Sequence, residues 1–245
     1  MQGKHMSNPT AAMLVIGDEI LSGRTRDANM HHLAGVLTER GIDLQEVRVV
    51  ADDPDAIVAA VQALSGAYTH VFTSGGIGPT HDDITADNVA RAFDTPISVR
   101  DDARALLEAH YEKSGQELNE ARLRMARIPD GAALIDNPVS TAPGFTIENV
   151  HVLAGVPAIF QVMLQSLLPK LTGGAPVMSR SVEIFRPEGD IAGPLGELAN
   201  AYPELSMGSY PFIRDGRFGA NIVMRGSDEG RLSEAMSKLE AAFQS

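Results

Sequence analysis

Apolar positions along the chain fall into short continuous runs separated by helical stripes. Ala12-Met13-Leu14-Val15-Ile16 is an unbroken apolar run, the pattern of a strand covered on both faces. Met30, Leu33, Ala34 and Leu37 then recur at helical spacing until Gly41 stops them. The stretch from Ile42 to Val50 supplies a second strand with Leu44, Val47 and Val49. Asp53 has the place of an N-cap before Pro54 at the first helical position, and Ile57, Val58, Val61 and Leu64 mark that helix's buried side. His70-Val71-Phe72-Thr73 reads as a third strand, followed by Ala86, Val89, Ala90 and Phe93 at i, i+3, i+4 and i+7 of a helix face. This alternation predicts βαβ units and an α/β fold with a mostly parallel sheet.

From Val99 to about Ala126 the pattern is helical and charged, with Leu106, Leu107, His110, Leu118, Leu123 and Met125 as candidate inward positions. Ile128-Pro129-Asp130-Gly131 reads as a turn. Phe145-Thr146-Ile147 and Val150-His151-Val152-Leu153 predict a hairpin turned at Glu148-Asn149. A helix carrying Ile159, Phe160, Met163, Leu164 and Leu167 follows and ends at Pro169. Thr172-Gly173-Gly174-Ala175-Pro176 is the best linker in the chain. Beyond it come a strand (Ser179 to Phe185), a helix (Ile191 to Ala201), two strands (Leu205 to Phe212, Phe218 to Met224) and a last helix. We expect a first domain over 8–171 and a small α+β subdomain, ordered βαββα, over 177–245. Within the latter, Ser209-Tyr210-Pro211-Phe212 and Arg214-Asp215-Gly216 suit a hairpin.

Composition narrows the picture. The net charge of −12 and the absence of a Lys/Arg cluster argue against a nucleic-acid partner. With no cysteine there can be no disulfide, thiolate metal site or cysteine nucleophile, which fits a reducing cytoplasm. No run approaches the roughly 20 apolar residues of a membrane span, so no membrane role is expected. Met1-Gln2-Gly3-Lys4-His5-Met6 resembles a cloning remnant ahead of a native start at Met6.

The chemistry concentrates in Thr73-Ser74-Gly75-Gly76-Ile77-Gly78-Pro79-Thr80-His81-Asp82-Asp83-Ile84-Thr85. Strand, glycine turn and helix together aim backbone N–H groups and a helix N-terminus at an anion. Without Gly-Lys-Ser/Thr this is no Walker loop. A phosphate about 4 Å from Asp82 or Asp83 would be repelled by about 4 kcal/mol at an effective dielectric near 20. A helix dipole returns only about 0.3–1 kcal/mol. Either the carboxylates face away or cap the helix, or a divalent cation (Mg²⁺, Mn²⁺ or Co²⁺) held by Asp82 and Asp83 lies between them and the phosphate; the cation is the favoured reading. In open parallel sheets ligands bind beyond the carboxyl ends of the strands. That rule puts Asp18 and Glu19, Asp52 and the glycine loop on one rim. The loop Asn137-Pro138-Val139-Ser140-Thr141-Ala142-Pro143-Gly144-Phe145 is either an ordinary connector or presents amides and the Ser140 and Thr141 hydroxyls to a ligand.

Three ordered motifs resemble a known family: Gly17-Asp18-Glu19-Ile20-Leu21-Ser22-Gly23, Gly75-Gly76-Ile77-Gly78-Pro79-Thr80-His81-Asp82-Asp83-Ile84-Thr85, and Asn137-Pro138 with Thr141-Ala142-Pro143-Gly144-Phe145 and Gly155-Val156-Pro157. Together they resemble the CinA-type (competence/damage-inducible protein A) branch of the molybdopterin-binding MoCF fold, and the N-terminal domain of eukaryotic FAD synthases. The resemblance covers about residues 10–170 and extends to Ser209-Tyr210-Pro211-Phe212. It implies a three-layer domain and a homo-oligomer, dimer or trimer. Molybdopterin adenylyltransferases of the group use a glycine loop and two acids, which match Gly75, Gly76 and Gly78, Asp83 with Thr85, and Asp52. Pro79, Thr80, Asp18, Glu19, Ser22, Ser140 and Thr141 complete the expected ligand-binding set, with Asp83, Asp82 and Asp52 catalytic. Ala154 stands where the family usually has proline, and His81 where it often has an acid or a basic residue.

The CinA branch implies a metal-dependent pyrophosphatase acting on ADP-ribose-like dinucleotides. Full-length CinA proteins add an amidase domain, and the chain is expected to be a short form without it. Two alternatives stand beside this: adenylyl transfer or pterin binding in molybdenum cofactor synthesis, and a non-catalytic nucleotide- or pterin-binding module.

Overall fold

The computed structural model describes residues 8–243, so the stretch read as a cloning remnant lies outside the described residues. The chain divides into two compact units, Met1–Gly174 and Ala175–Ser245. The first begins with β1 (Thr10–Ile16), α1 (Asp18–Leu21), α2 (Asn29–Glu39), β2 (Asp43–Val50) and α3 (Pro54–Ala67). It continues with β3 (His70–Ser74), α4 (Thr85–Ala92), β4 (Ile97–Val99), α5 (Asp101–Ser114) and α6 (Glu120–Leu123). Four strands, β5 (Arg127–Pro129), β6 (Ala133–Ile135), β7 (Gly144–Ile147) and β8 (Val150–Leu153), precede α7 (Pro157–Leu167).

Six of these strands form one sheet in the order β2-β1-β3-β8-β7-β6. The first four run parallel and β7 and β6 run antiparallel to their neighbours. β1 shows why helices cover both faces. Ala12, Leu14 and Ile16 pack with Ile57, Val61 and Leu64 of α3, Val89 of α4 and Leu107 of α5. Ala11, Met13 and Val15 face the other way, toward Leu33 and Leu37 of α2 and Phe160, Met163 and Leu164 of α7. The result is a three-layer α/β domain. Asp53 caps α3, its carboxylate accepting from the Ala56 N–H at 2.8 Å, with Pro54 at the first turn.

Several sequence expectations need correction. Met30 and Leu106 are exposed; the buried positions beside them are Asn29 in α2 and Ala103 and Leu107 in α5. Val47 and Val49 face solvent because β2 is an edge strand. The helical stretch after Val99 breaks at Gly115, which takes a left-handed φ of 64°. Ile128 and Pro129 belong to β5, paired with β4, and not to a turn. The division between the units falls inside the expected linker, between Gly174 and Ala175, although Thr172 and Gly174 are bonded to the first unit through the His70 ring and the Arg40 carbonyl.

At the end of the sheet remote from the carboxyl termini of β3 and β8 lies a buried histidine pair. The Thr172 carbonyl can only accept, so His70 Nε2 donates to it at 3.2 Å. His70 Nδ1 then accepts from His151 Nε2 at 3.3 Å, and His151 Nδ1 accepts from the Thr146 hydroxyl at 3.0 Å. Burial, with His70 beside it, pushes the His151 pKa down to about 3, and burial lowers that of His70. Both groups bind protons more readily unfolded than folded. Stability should therefore be full above the ordinary histidine range and fall as pH drops below about 6.5, by about 1.4 kcal/mol per unit from His151 alone. Urea unfolding at pH 7 and pH 5 checks this; equal midpoints would contradict it.

The second unit contains β9 (Met178–Ile184), α8 (Glu188–Ala201), β10 (Ser206–Arg214), β11 (Arg217–Gly226) and α9 (Glu229–Phe243). Its antiparallel sheet has the order β10-β11-β9, and Ile191, Tyr202, Ile222, Met224, Leu232 and Leu239 lie in its core. The expected hairpin forms, turning at Asp215 and Gly216 with φ of 52° and 73°. Two left-handed residues at a two-residue turn match the twist of the strands.

Candidate functional site

A cleft of about 770 Å³ opens along the carboxyl ends of the parallel strands. Its floor is the glycine loop after β3. Gly75 has φ 109°, and a Cβ there would stand 2.2 Å from the Ile16 carbonyl at the end of β1. Gly76 has φ 69°, and a Cβ there would meet the Thr85 hydroxyl at 2.1 Å. The loop is pinned by Gly75 N–H to the Leu153 carbonyl (3.2 Å), Thr85 N–H to the Gly76 carbonyl (2.9 Å) and the Thr85 hydroxyl to the Gly75 carbonyl (2.9 Å). The N–H groups of Gly76, Ile77 and Gly78 bond to no protein group among the described residues, and all three residues line the cleft. Consecutive free amides of this kind form a nest for an anion. The N-terminal turn of α7, with Val156 and Pro157, borders the same space and adds its dipole.

Asp52 lies among the charges of Asp18, Glu19 and Asp82, while Asp83 borders Gly78, Met125 and Phe145. Glu19, Asp52, Asp82 and Asp83 all line the cleft. Asp52 accepts from the Asp18 backbone N–H at 2.9 Å, which ties the end of β2 to the start of α1. Burial raises the Asp52 pKa; the Asp18 N–H opposes this, and the negative charges of Asp18, Glu19 and Asp82 reinforce it. Asp83 does not cap α4. Its Oδ2 accepts from the Thr80 N–H (2.8 Å) and hydroxyl (2.6 Å), and the carboxylate lies over Gly78, where a Cβ would be 2.6 Å from it. Among the described residues no group of three or more His, Asp or Glu is gathered closely enough to hold a metal ion unaided.

Other expected residues act at one remove or not at all. Thr80 serves Asp83, and the Thr141 hydroxyl is engaged with His110 Nδ1 at 3.0 Å. Ser140 lines the cleft and its Oγ accepts from the Asn137 amide at 2.7 Å. Pro79 is a wall residue. Ser22 is exposed at the end of α1, its N–H closing on the Asp18 carbonyl at 2.9 Å, and is not a lining residue of the cleft. His81 faces solvent.

The structure also brings in groups that motif reading passed over. His110, Tyr111 and Met125 line the cleft from α5 and the turn after α6. Arg124 reaches the glycine loop, donating to the Asp83 carbonyl at 3.3 Å, with its buried Nε unpartnered. Buried Asn29 donates to the Ser74 hydroxyl (2.8 Å) and the Gly155 carbonyl (2.7 Å), holding the two loops together. His110 was legible only as one polar position on an otherwise inward helix stripe; nothing local marked Arg124.

Residues 12–173 match the family model described as "Probable molybdopterin binding domain". A crystal structure of a CinA protein of unknown function from Thermoplasma acidophilum superposes with a TM-score of 0.62 at 34% identity, covering 67% of this chain and 99% of that one. A CinA-like protein of Citrifermentans bemidjiense is 38% identical over 66% of this chain and 40% of its own length. The chain belongs to the MoCF family and is of the CinA type. Residues 176–245 match a second model, "FAD synthase, middle domain". In keeping with both matches, a probable FAD synthase of Caenorhabditis elegans is 32% identical over 94% of this chain. The CinA-type chain spans about half the length of that relative, 49%. Among the described residues no helix is long and apolar enough to cross a membrane.

Proposed function

We propose that this CinA-type chain is a divalent-cation-dependent nucleotide pyrophosphatase that cleaves the diphosphate of ADP-ribose-like dinucleotides. One observation carries the reading: Gly76, Ile77 and Gly78, whose amides have no protein partner among the described residues, line the same cleft as Glu19, Asp52, Asp82 and Asp83. An amide nest selects a phosphate, and the carboxylates beside it select a cation. The donor set fits a hard, oxygen-liganded ion, because Glu19, Asp52, Asp82 and Asp83 offer carboxylate oxygens along the cleft. Asp83 and Asp82 would hold it, with substrate phosphate oxygens completing the shell. When bound, such an ion offsets charge on the phosphates and lowers the pKa of a water.

The residues of the chain divide the remaining work. The glycine amides hold one phosphoryl group, and Thr80 fixes the Asp83 carboxylate by two hydrogen bonds. Asp52, with its raised pKa, is the carboxyl group best suited to take a proton from an attacking water. A second reading, pterin binding or adenylyl transfer, is supported by the description of the family model. A screen of ADP-ribose, FAD and NADH with Mg²⁺, Mn²⁺ and Co²⁺ separates the two. AMP release dependent on the cation is the expected result; tight pterin binding without release of AMP would favour the second reading.

A further inference from the structure

The cleft is chemically lopsided, and the strand order shows how far apart its ends lie. Asp52 follows β2, the glycine loop follows β3, and Thr141 precedes β7 in the order β2-β1-β3-β8-β7-β6. Neighbouring strands are about 4.8 Å apart. The amide nest therefore sits about 10 Å from each end, and the ends are about 19 Å apart. An extended dinucleotide, two halves flanking a diphosphate, has this shape.

The end beside β7 differs from the acidic one. His110, Tyr111 and Met125 line the cleft there, with Asp83 of the glycine loop beside Met125. The imidazole is fixed twice, by Thr141 at Nδ1 and by the Tyr111 ring edge-to-face at 5.2 Å. Tyr111 is in turn covered by the Arg122 guanidinium, 4.6 Å from the ring centroid. Thr141 holds its hydroxyl there from a left-handed backbone with φ of 65°, a costly conformation for a β-branched residue. Nε2 of His110 makes no hydrogen bond among the described residues, and Ser140, whose oxygen accepts from Asn137, retains its O–H as a donor. A preorganised ring, a thioether and a hydroxyl donor suit a planar heterocycle.

Resting on the nucleotide reading above, we infer that the cleft binds its substrate in one direction. The heterocyclic base lies against His110 and Met125, the diphosphate lies on the glycine amides, and the sugar half without a base lies at the acidic end, where Glu19 can accept from its hydroxyls. His110 is then a specificity-determining residue.

The probes are AMP, which carries base and phosphate, and ribose 5-phosphate, which lacks the base. Their binding is measured by calorimetry with Mn²⁺ present. His110→Ala should weaken AMP about tenfold, the range of base–aromatic stacking, and leave ribose 5-phosphate within about twofold. His110→Phe, which restores a ring, should return AMP to within about threefold of the wild type. Unchanged AMP binding in His110→Ala, or equal weakening of both probes, overturns the direction while leaving the nucleotide reading intact. A wild type that binds neither probe overturns the nucleotide reading and the direction with it.

Discussion

Asp52→Asn should make the protein more stable and nearly inactive. The amide oxygen can still accept from the Asp18 N–H, so the link between β2 and α1 is kept. What disappears is a half-buried negative charge among those of Asp18, Glu19 and Asp82. Because the folded pKa is raised, the carboxyl group is neutral in both states at low pH and the substitution has no effect there. As pH rises through the folded pKa the penalty appears, and at neutral pH the variant should be the more stable of the two. Turnover of ADP-ribose should fall about a hundredfold or more, since the proton acceptor is gone. Denaturation at pH 3.5 and pH 7, with AMP release at pH 7, tests both halves. A variant less stable at neutral pH, or one that keeps its turnover, would contradict the role given to Asp52.

Gly75→Ala should damage the fold and the site together. Alanine at φ 109° is strained, and its methyl would be placed 2.2 Å from the Ile16 carbonyl, a backbone atom that cannot swing aside. Relief requires parting the ends of β1 and β3 or lifting the amide nest. A loss of about 3 kcal/mol is expected, together with loss of ADP-ribose turnover. Gly131→Ala is the control: it has φ 76° but nothing within 4 Å of the new methyl, so it should cost only about 1 kcal/mol. Equal losses in urea unfolding would show that crowding against β1 is unimportant.

How much of this could be read in advance depended on distance along the chain. β1, the glycine loop and the Asp53 cap announce themselves within a few residues, since each rests on local backbone demands. Asp18 and Asp52 are 34 positions apart, yet the rule about strand ends brings them together, and the structure joins them through one hydrogen bond. His110 and Arg124 obey no such rule. They arrive through the break at Gly115 and through the packing of α5 on the sheet, where periodicity rightly placed Leu107 inward but paired it with Leu106 in place of Ala103. Thr141 was expected to serve a ligand; its hydroxyl meets His110, because the left-handed backbone turns it toward α5.

Asp83 is the most direct test of the site as a whole. Its carboxylate is held in the loop by Thr80 and faces the cleft, and removing it leaves the core untouched. The measurement is AMP release from ADP-ribose with and without Mn²⁺, by the wild type and by Asp83→Ala. Cation-dependent release by the wild type and a loss of about a hundredfold or more in the variant, with unfolding midpoints that agree, is the expected result. Equal release by the two proteins would contradict the assignment of hydrolysis to this cleft.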